Sequence, residues 1–148
     1  MTFKYKPARR AHLREPAWNQ QRQAEREFLS GIVQGLAASD IEERFSRALD
    51  KDDRVIGYTF REAVLAGRNL PGQLEVDFMI ETAGGEIWPV QVDGEFAHKG
   101  ASKRQEDALK DTMINDYYRR YGVHPVKRID GDLLKTQKDA NELVKEML

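Results

Sequence analysis

Leu74-Glu75-Val76-Asp77-Phe78-Met79-Ile80-Glu81-Thr82-Ala83-Gly84-Gly85-Glu86-Ile87-Trp88-Pro89-Val90-Gln91-Val92-Asp93-Gly94-Glu95-Phe96-Ala97-His98 is the stretch that decides the fold. Leu74, Val76, Phe78 and Ile80 alternate with Glu75, Asp77, Met79 and Glu81, the period of two that marks a strand with one buried face. Ala83-Gly84-Gly85-Glu86 reads as a tight turn in which the paired glycines supply positive φ. Ile87 to Val92 is the return strand. Pro89 removes one donor from it, so an edge or a bulge is expected there.

Outward from this hairpin the chain is punctuated clearly. After Pro16, Ala24, Phe28, Ile32 and Leu36 recur every fourth residue with Leu29 and Val33 beside them, which predicts a helix of about five turns ending at Ala37-Ala38. Ser39 with Glu42 three residues on predicts a capping box opening a short helix, Asp40 to about Leu49. Its apolar face is Ile41, Phe45, Ala48 and Leu49, which places Glu42 on the border of the core and points Glu43 away from it. Val55 to Phe60 reads as a strand, and Arg61 to Gly72 as a loop or its continuation. Beyond Gly94, a long helix runs from Ala101 or Ser102 to Tyr121 and closes at Gly122; a strand over 125–129 and a last amphipathic helix ending at Leu148 complete the order. The fold class expected is α/β, a mixed sheet flanked by helices.

With 148 residues and 40% hydrophobic content, one core is the expectation: a basic arm over residues 1–14 and a single domain over 15–148. No segment approaches the roughly 18 to 20 apolar residues of a membrane span, and the N-terminus has no apolar signal core. A soluble, cytoplasmic protein is therefore expected. Cysteine is absent, which excludes disulfides and thiolate metal sites and leaves oxygen or imidazole ligands for any metal. The formal net charge is −1, yet residues 1–14 carry Lys4, Lys6, Arg9, Arg10 and Arg14 without one acid. Such an arm is either a solvated terminus or a phosphate contact.

Two adjacent strands bring Asp77 near Gln91 and Asp93, and a carboxylate cluster there needs a cation or a proton to relieve its repulsion. A hard divalent metal held through oxygens would do so. His98 falls just past the strand end, and Asp107 in the first turns of the long helix.

Glu42 on the first core helix, Val76-Asp77-Phe78, Gln91-Val92-Asp93-Gly94 followed by His98, and Asp107 with Lys110-Asp111 together resemble the restriction-endonuclease-like, or PD-(D/E)XK, superfamily. Within it the order is most similar to the branch of very-short-patch repair nicking enzymes and related homing endonucleases. The resemblance spans about Ser39 to Arg128, with Gly122 and a closing strand carrying Arg128. It implies a restriction-endonuclease-like core and a Mg²⁺- or Mn²⁺-dependent DNA endonuclease or nickase. It further implies that Asp77 is a direct metal ligand, with Gln91 and the Val92 carbonyl beside it, and that Glu42 holds metal-bound water. His98 would be the general base, oriented by Asp107, and Asp93 would complete the catalytic set. Nucleic-acid contacts are expected from the basic arm and from Lys99, Lys103 and Lys110. The superfamily's usual acid-x-lysine is here Gln91-x-Asp93, a neutral amide and no lysine. That departure keeps a second reading open: a catalytically lapsed copy acting as a nucleic-acid-binding or structural component of a larger assembly. DNA against RNA, and a homodimer against other assemblies, stay open.

Overall fold

The computed structural model describes residues 4–5, 28–63, 75–94 and 100–148. In chain order the elements are strands β1 (Lys4–Tyr5), β2 (Ile32–Val33) and β3 (Leu36–Ala37), helix α1 (Asp40–Lys51), and strands β4 (Val55–Ala63), β5 (Glu75–Thr82) and β6 (Ile87–Asp93). Helix α2 (Ala101–Tyr118), strand β7 (Lys127–Asp130) and helix α3 (Gln137–Met147) follow. Turns of 3₁₀ helix end α2 (Arg119–Tyr121) and precede α3 (Gly131–Leu134).

The architecture is mixed α/β. One sheet has the order β1-β4-β5-β6-β7, and β2 pairs with β3 in a separate hairpin. Strands β4, β5 and β6 run antiparallel, whereas β7 lies parallel to β6, with Val90 opposite Lys127 and Asp93 opposite Asp130. A parallel neighbour requires a crossover, and α2 supplies it. Helices α1 and α3 cover one face, where Phe45, Leu49, Phe78, Ile80, Val90, Ile129, Leu134 and Val144 are fully or almost fully buried. On the other face Ile114 of α2 packs with Val76 and Met79. Because β5 is covered on both sides, Met79 is buried rather than lying on a polar face with Asp77. No helix among the described residues is long and apolar enough to cross a membrane.

The five-turn helix expected after Pro16 is not what residues 28–38 form; its earlier part lies outside the described residues. Gln34 and Gly35 both take positive φ, 50° and 80°, as the two central residues of a tight hairpin turn, and Ala38 N–H donates to the Gly31 carbonyl at 2.8 Å. The fourfold spacing was misleading because Phe28, Ile32 and Leu36 are exposed, and only Val33 enters the core. Gln34 then serves as a strand surrogate: its amide donates to the Tyr58 carbonyl at 2.7 Å and accepts from Phe60 N–H at 2.9 Å.

Helix α1 begins with the expected capping box: Ser39 Oγ accepts from Glu42 N–H, and Glu42 Oε1 from Ser39 N–H. Glu43, expected to point away from the core, is instead buried. It accepts from Ser30 and Gly31 N–H at 2.9 and 2.6 Å and pairs with Arg47, bonds that hold its carboxyl below the ordinary value despite burial. The β2–β3 hairpin thus docks on α1 through Glu43, a partner invisible while 28–38 is read as helix. In the β5–β6 turn only Gly85 has positive φ. Pro89 lies within an interior strand: the Ile87 carbonyl accepts from His124 N–H, so Pro89, two residues on, turns its nitrogen toward the segment preceding β7, where no ladder has begun.

Candidate active site

The sheet opens where β5 and β6 part. Their last paired residues are Phe78 and Val90, and beyond them side chains replace the ladder. Gln91 Nε2 donates to the Glu75 carbonyl at 2.8 Å, and its Oε1 accepts from Asp77 N–H at 3.1 Å. Asp77 Oδ2 accepts from Val92 N–H at 2.8 Å. The strands thus separate by the width of a side chain while these backbone polar groups stay satisfied. Gln91 thus meets Asp77 through the Asp77 backbone N–H, while the Asp77 carboxylate is turned to Val92 N–H.

Burial pushes the Asp77 carboxyl up to about 6, opposed by the Val92 hydrogen bond and reinforced by the nearby charges of Glu42 and Glu75. Ile41 at the α1 N-terminus lies against Gly94 and Gly131 at the ends of β6 and β7, and the charge of the next residue, Glu42, acts on Asp77, whereas Glu43 is turned to Ser30, Gly31 and Arg47. A half-buried carboxylate that feels the negative charge of Glu42 and Glu75 gains from a cation or a proton beside it. The oxygen donors Asp77 and Glu42 fit the chemistry of a hard divalent ion. Gln91 differs from the expected ligand in that both ends of its amide already serve the backbone. Among the described residues no group of three or more Asp, Glu or His side chains is gathered to hold a metal.

Asp93 does not join this group. Its carboxylate is buried and faces Arg128 Nη1 at 3.7 Å. Arg128 also forms a two-pronged pair with Asp111, Nε at 2.6 Å and Nη2 at 2.9 Å, and approaches Asp107 at 3.9 Å. One guanidinium therefore balances three carboxylates and pins α2 to β6 and β7; the three acids in turn raise its own proton affinity. Asp107 is held by Arg128 and Lys103. His98, which Asp107 was expected to orient, lies outside the described residues, as do Lys6, Arg9, Arg10, Arg14 and Lys99. For Lys4 only the backbone is described, in β1. Lys103 and Lys110 are exposed enough to meet a phosphate, but Lys103 already pairs with Glu106 and Asp107, and Lys110 with Glu106.

Glycines keep this end of the sheet close to α1. A Cβ on Gly131 would come within 2.9 Å of Ile41 Cδ1, 3.0 Å of Gly94 Cα and 3.1 Å of the Asp93 carbonyl. Ile41, one residue before Glu42, is seated against the ends of β6 and β7 by this approach. Arg128 lies in a strand, Lys127–Asp130, whose charges are visible in the sequence, but alternation alone does not say which of them turns to Asp93. Arg61, which takes a φ of 55° within β4, had no such signal.

No protein-family model matches the chain, and no curated protein matches it either.

Proposed function

We propose that this chain is a metal-dependent endonuclease or nickase that hydrolyses phosphodiester bonds of nucleic acid, DNA in the first instance, on a restriction-endonuclease-like core. The observation that carries the reading is Asp77: a carboxyl at the parting of β5 and β6, raised to about 6 by burial and by Glu42 and Glu75. Groups so perturbed cluster at functional sites. Mg²⁺ or Mn²⁺ bound there would polarise a phosphate and lower the pKa of an attacking water. In this reading Asp77 contributes a charged oxygen fixed in direction by Val92 N–H. Glu42, fixed by the Ser39 cap, holds water at the edge of the opening, and His98 is the proton acceptor. Gln91 holds the opening apart rather than lending charge to it.

That same role of Gln91 favours the second reading, a lapsed copy that binds nucleic acid without cutting it, because an amide engaged at both ends leaves Asp77 and Glu42 as the charged donors. Supercoiled plasmid separates the two. The hydrolytic reading requires relaxation or linearisation with Mg²⁺ that disappears with chelator; retention of plasmid on the protein with no cleavage in Mg²⁺ or Mn²⁺ would replace it with the lapsed one.

A further inference from the structure

Arg61 has a φ of 55° within the last stretch of pairing of β4, a left-handed conformation that a residue with a Cβ adopts only where its surroundings impose it. Pairing continues on either side of it, Phe60 opposite Phe78 and Glu62 opposite Val76, which sets Arg61 at the position opposite Asp77. Successive side chains of a regular strand project to opposite faces. Here the guanidinium carbon of Arg61 lies 5.2 Å from the centroid of the ring of Phe60, its immediate predecessor. A positive φ at Arg61 accompanies this placement of the charge over Phe60, whose ring packs on Phe78. Arg61 is exposed. Its charge is felt at Asp77, yet among the described residues no ion pair closes on it. A strained backbone that holds a guanidinium, free of ion pairs among the described residues, at the strand position opposite Asp77 is spent on something other than stability.

We propose that Arg61 is a phosphate-binding residue, whose guanidinium receives the non-bridging oxygens of a nucleic-acid phosphodiester beside Asp77. The planar fork of arginine matches a phosphate in two-pronged geometry, and its seat on the Phe60 ring limits the freedom lost on binding. The inference rests on the reading of this site as one that meets nucleic acid, but it does not require that the bond be cut.

The test measures binding of the full chain to a short fluorescein-labelled DNA duplex and to an RNA duplex of the same sequence, in EDTA so that cleavage cannot enter. Glycine takes positive φ freely, so Arg61→Gly should melt no lower than the parent. It should nevertheless bind the preferred duplex about tenfold more weakly, as expected for loss of a charge-assisted hydrogen bond. The log-log salt dependence should flatten by about 0.9, the value for one phosphate contact. Arg61→Lys, which keeps the charge and loses the fork, should fall between the two. Unchanged affinity and salt slope in Arg61→Gly on both duplexes, or no binding of either duplex by the parent, would overturn the proposal. Arg61-dependent binding without Mg²⁺-dependent cleavage would leave Arg61 in place and remove only the hydrolytic reading.

Discussion

Replacing Asp77 by asparagine should stabilise the protein while removing its chemistry. In the unfolded chain this carboxyl has the ordinary aspartate value of 3.8, and burial raises it to about 6 in the folded chain. Between those values the folded state holds more protons than the unfolded state. Stability contributed by Asp77 therefore falls as pH rises from about 4 to about 6 and stays level above that. A rise of about two in pKa corresponds to about 3 kcal/mol as an upper bound. Asp77 is only partly buried, and solvent screening brings the expected penalty nearer 1 to 2 kcal/mol. Asparagine keeps an oxygen to accept from Val92 N–H and carries no charge toward Glu42 or Glu75. At pH 8 without divalent metal, Asp77→Asn should then melt about 2 to 8 °C above the parent, using about 2 to 4 °C per kcal/mol for a chain of this size. Thermal melts at several pH values from 4 to 8 check this through the difference between the two curves. That difference cancels groups common to both proteins, such as Glu43, whose lowered carboxyl contributes stability that is lost in acid. The difference should open between pH 4 and 6 and then hold. A variant less stable than the parent at pH 8, or two parallel curves, would refute the claim that burial and neighbouring charge load this carboxyl.

Gln91→Glu should lower the melting temperature in EDTA, because the Glu75 carbonyl loses its donor and a second carboxylate arrives beside Asp77; two charges about 4 Å apart repel by roughly 4 kcal/mol at an effective dielectric of 20. Melts across a Mn²⁺ titration should show that loss recovering more steeply than any rise in the parent, and a variant indifferent to the metal would count against a cation site. Arg128→Met should cost about 3 kcal/mol in urea unfolding, since buried Asp93 and its neighbour Asp111 lose their common cation. A loss below about 1 kcal/mol, the usual scale of a surface pair, would mean that the cluster is only a solvated ion pair.

The β5–β6 hairpin, the capped start of α1, the long α2 with its glycine stop and the closing helix α3 were legible in the sequence because each is specified locally, by alternation, by Ser39 with Glu42, or by Gly122 in the left-handed conformation. The region 28–38 was not. Phe28, Ile32 and Leu36 share a helical spacing, but two positive-φ residues, Gln34 and Gly35, bend the chain before a helix can use it. That error hid the role of Glu43, whose partners lie in the hairpin. Asp77 opposite Gln91 followed from register alone. Asp93 was misplaced for a different reason: its face was read correctly as that of Gln91, but the partner that captures it, Arg128, comes from a parallel strand 35 residues later in the chain. Alternation reports which face a residue occupies and is silent about which charge waits there.

Cleavage of supercoiled plasmid by the parent and by Asp77→Asn, run side by side in Mg²⁺ and in Mn²⁺ with a chelator control, tests the central claim most directly. The account requires metal-dependent relaxation by the parent and none by a variant that melts at or above it. Equal relaxation by both proteins, or relaxation that survives the chelator, would contradict the assignment of Asp77 as the residue that holds the metal.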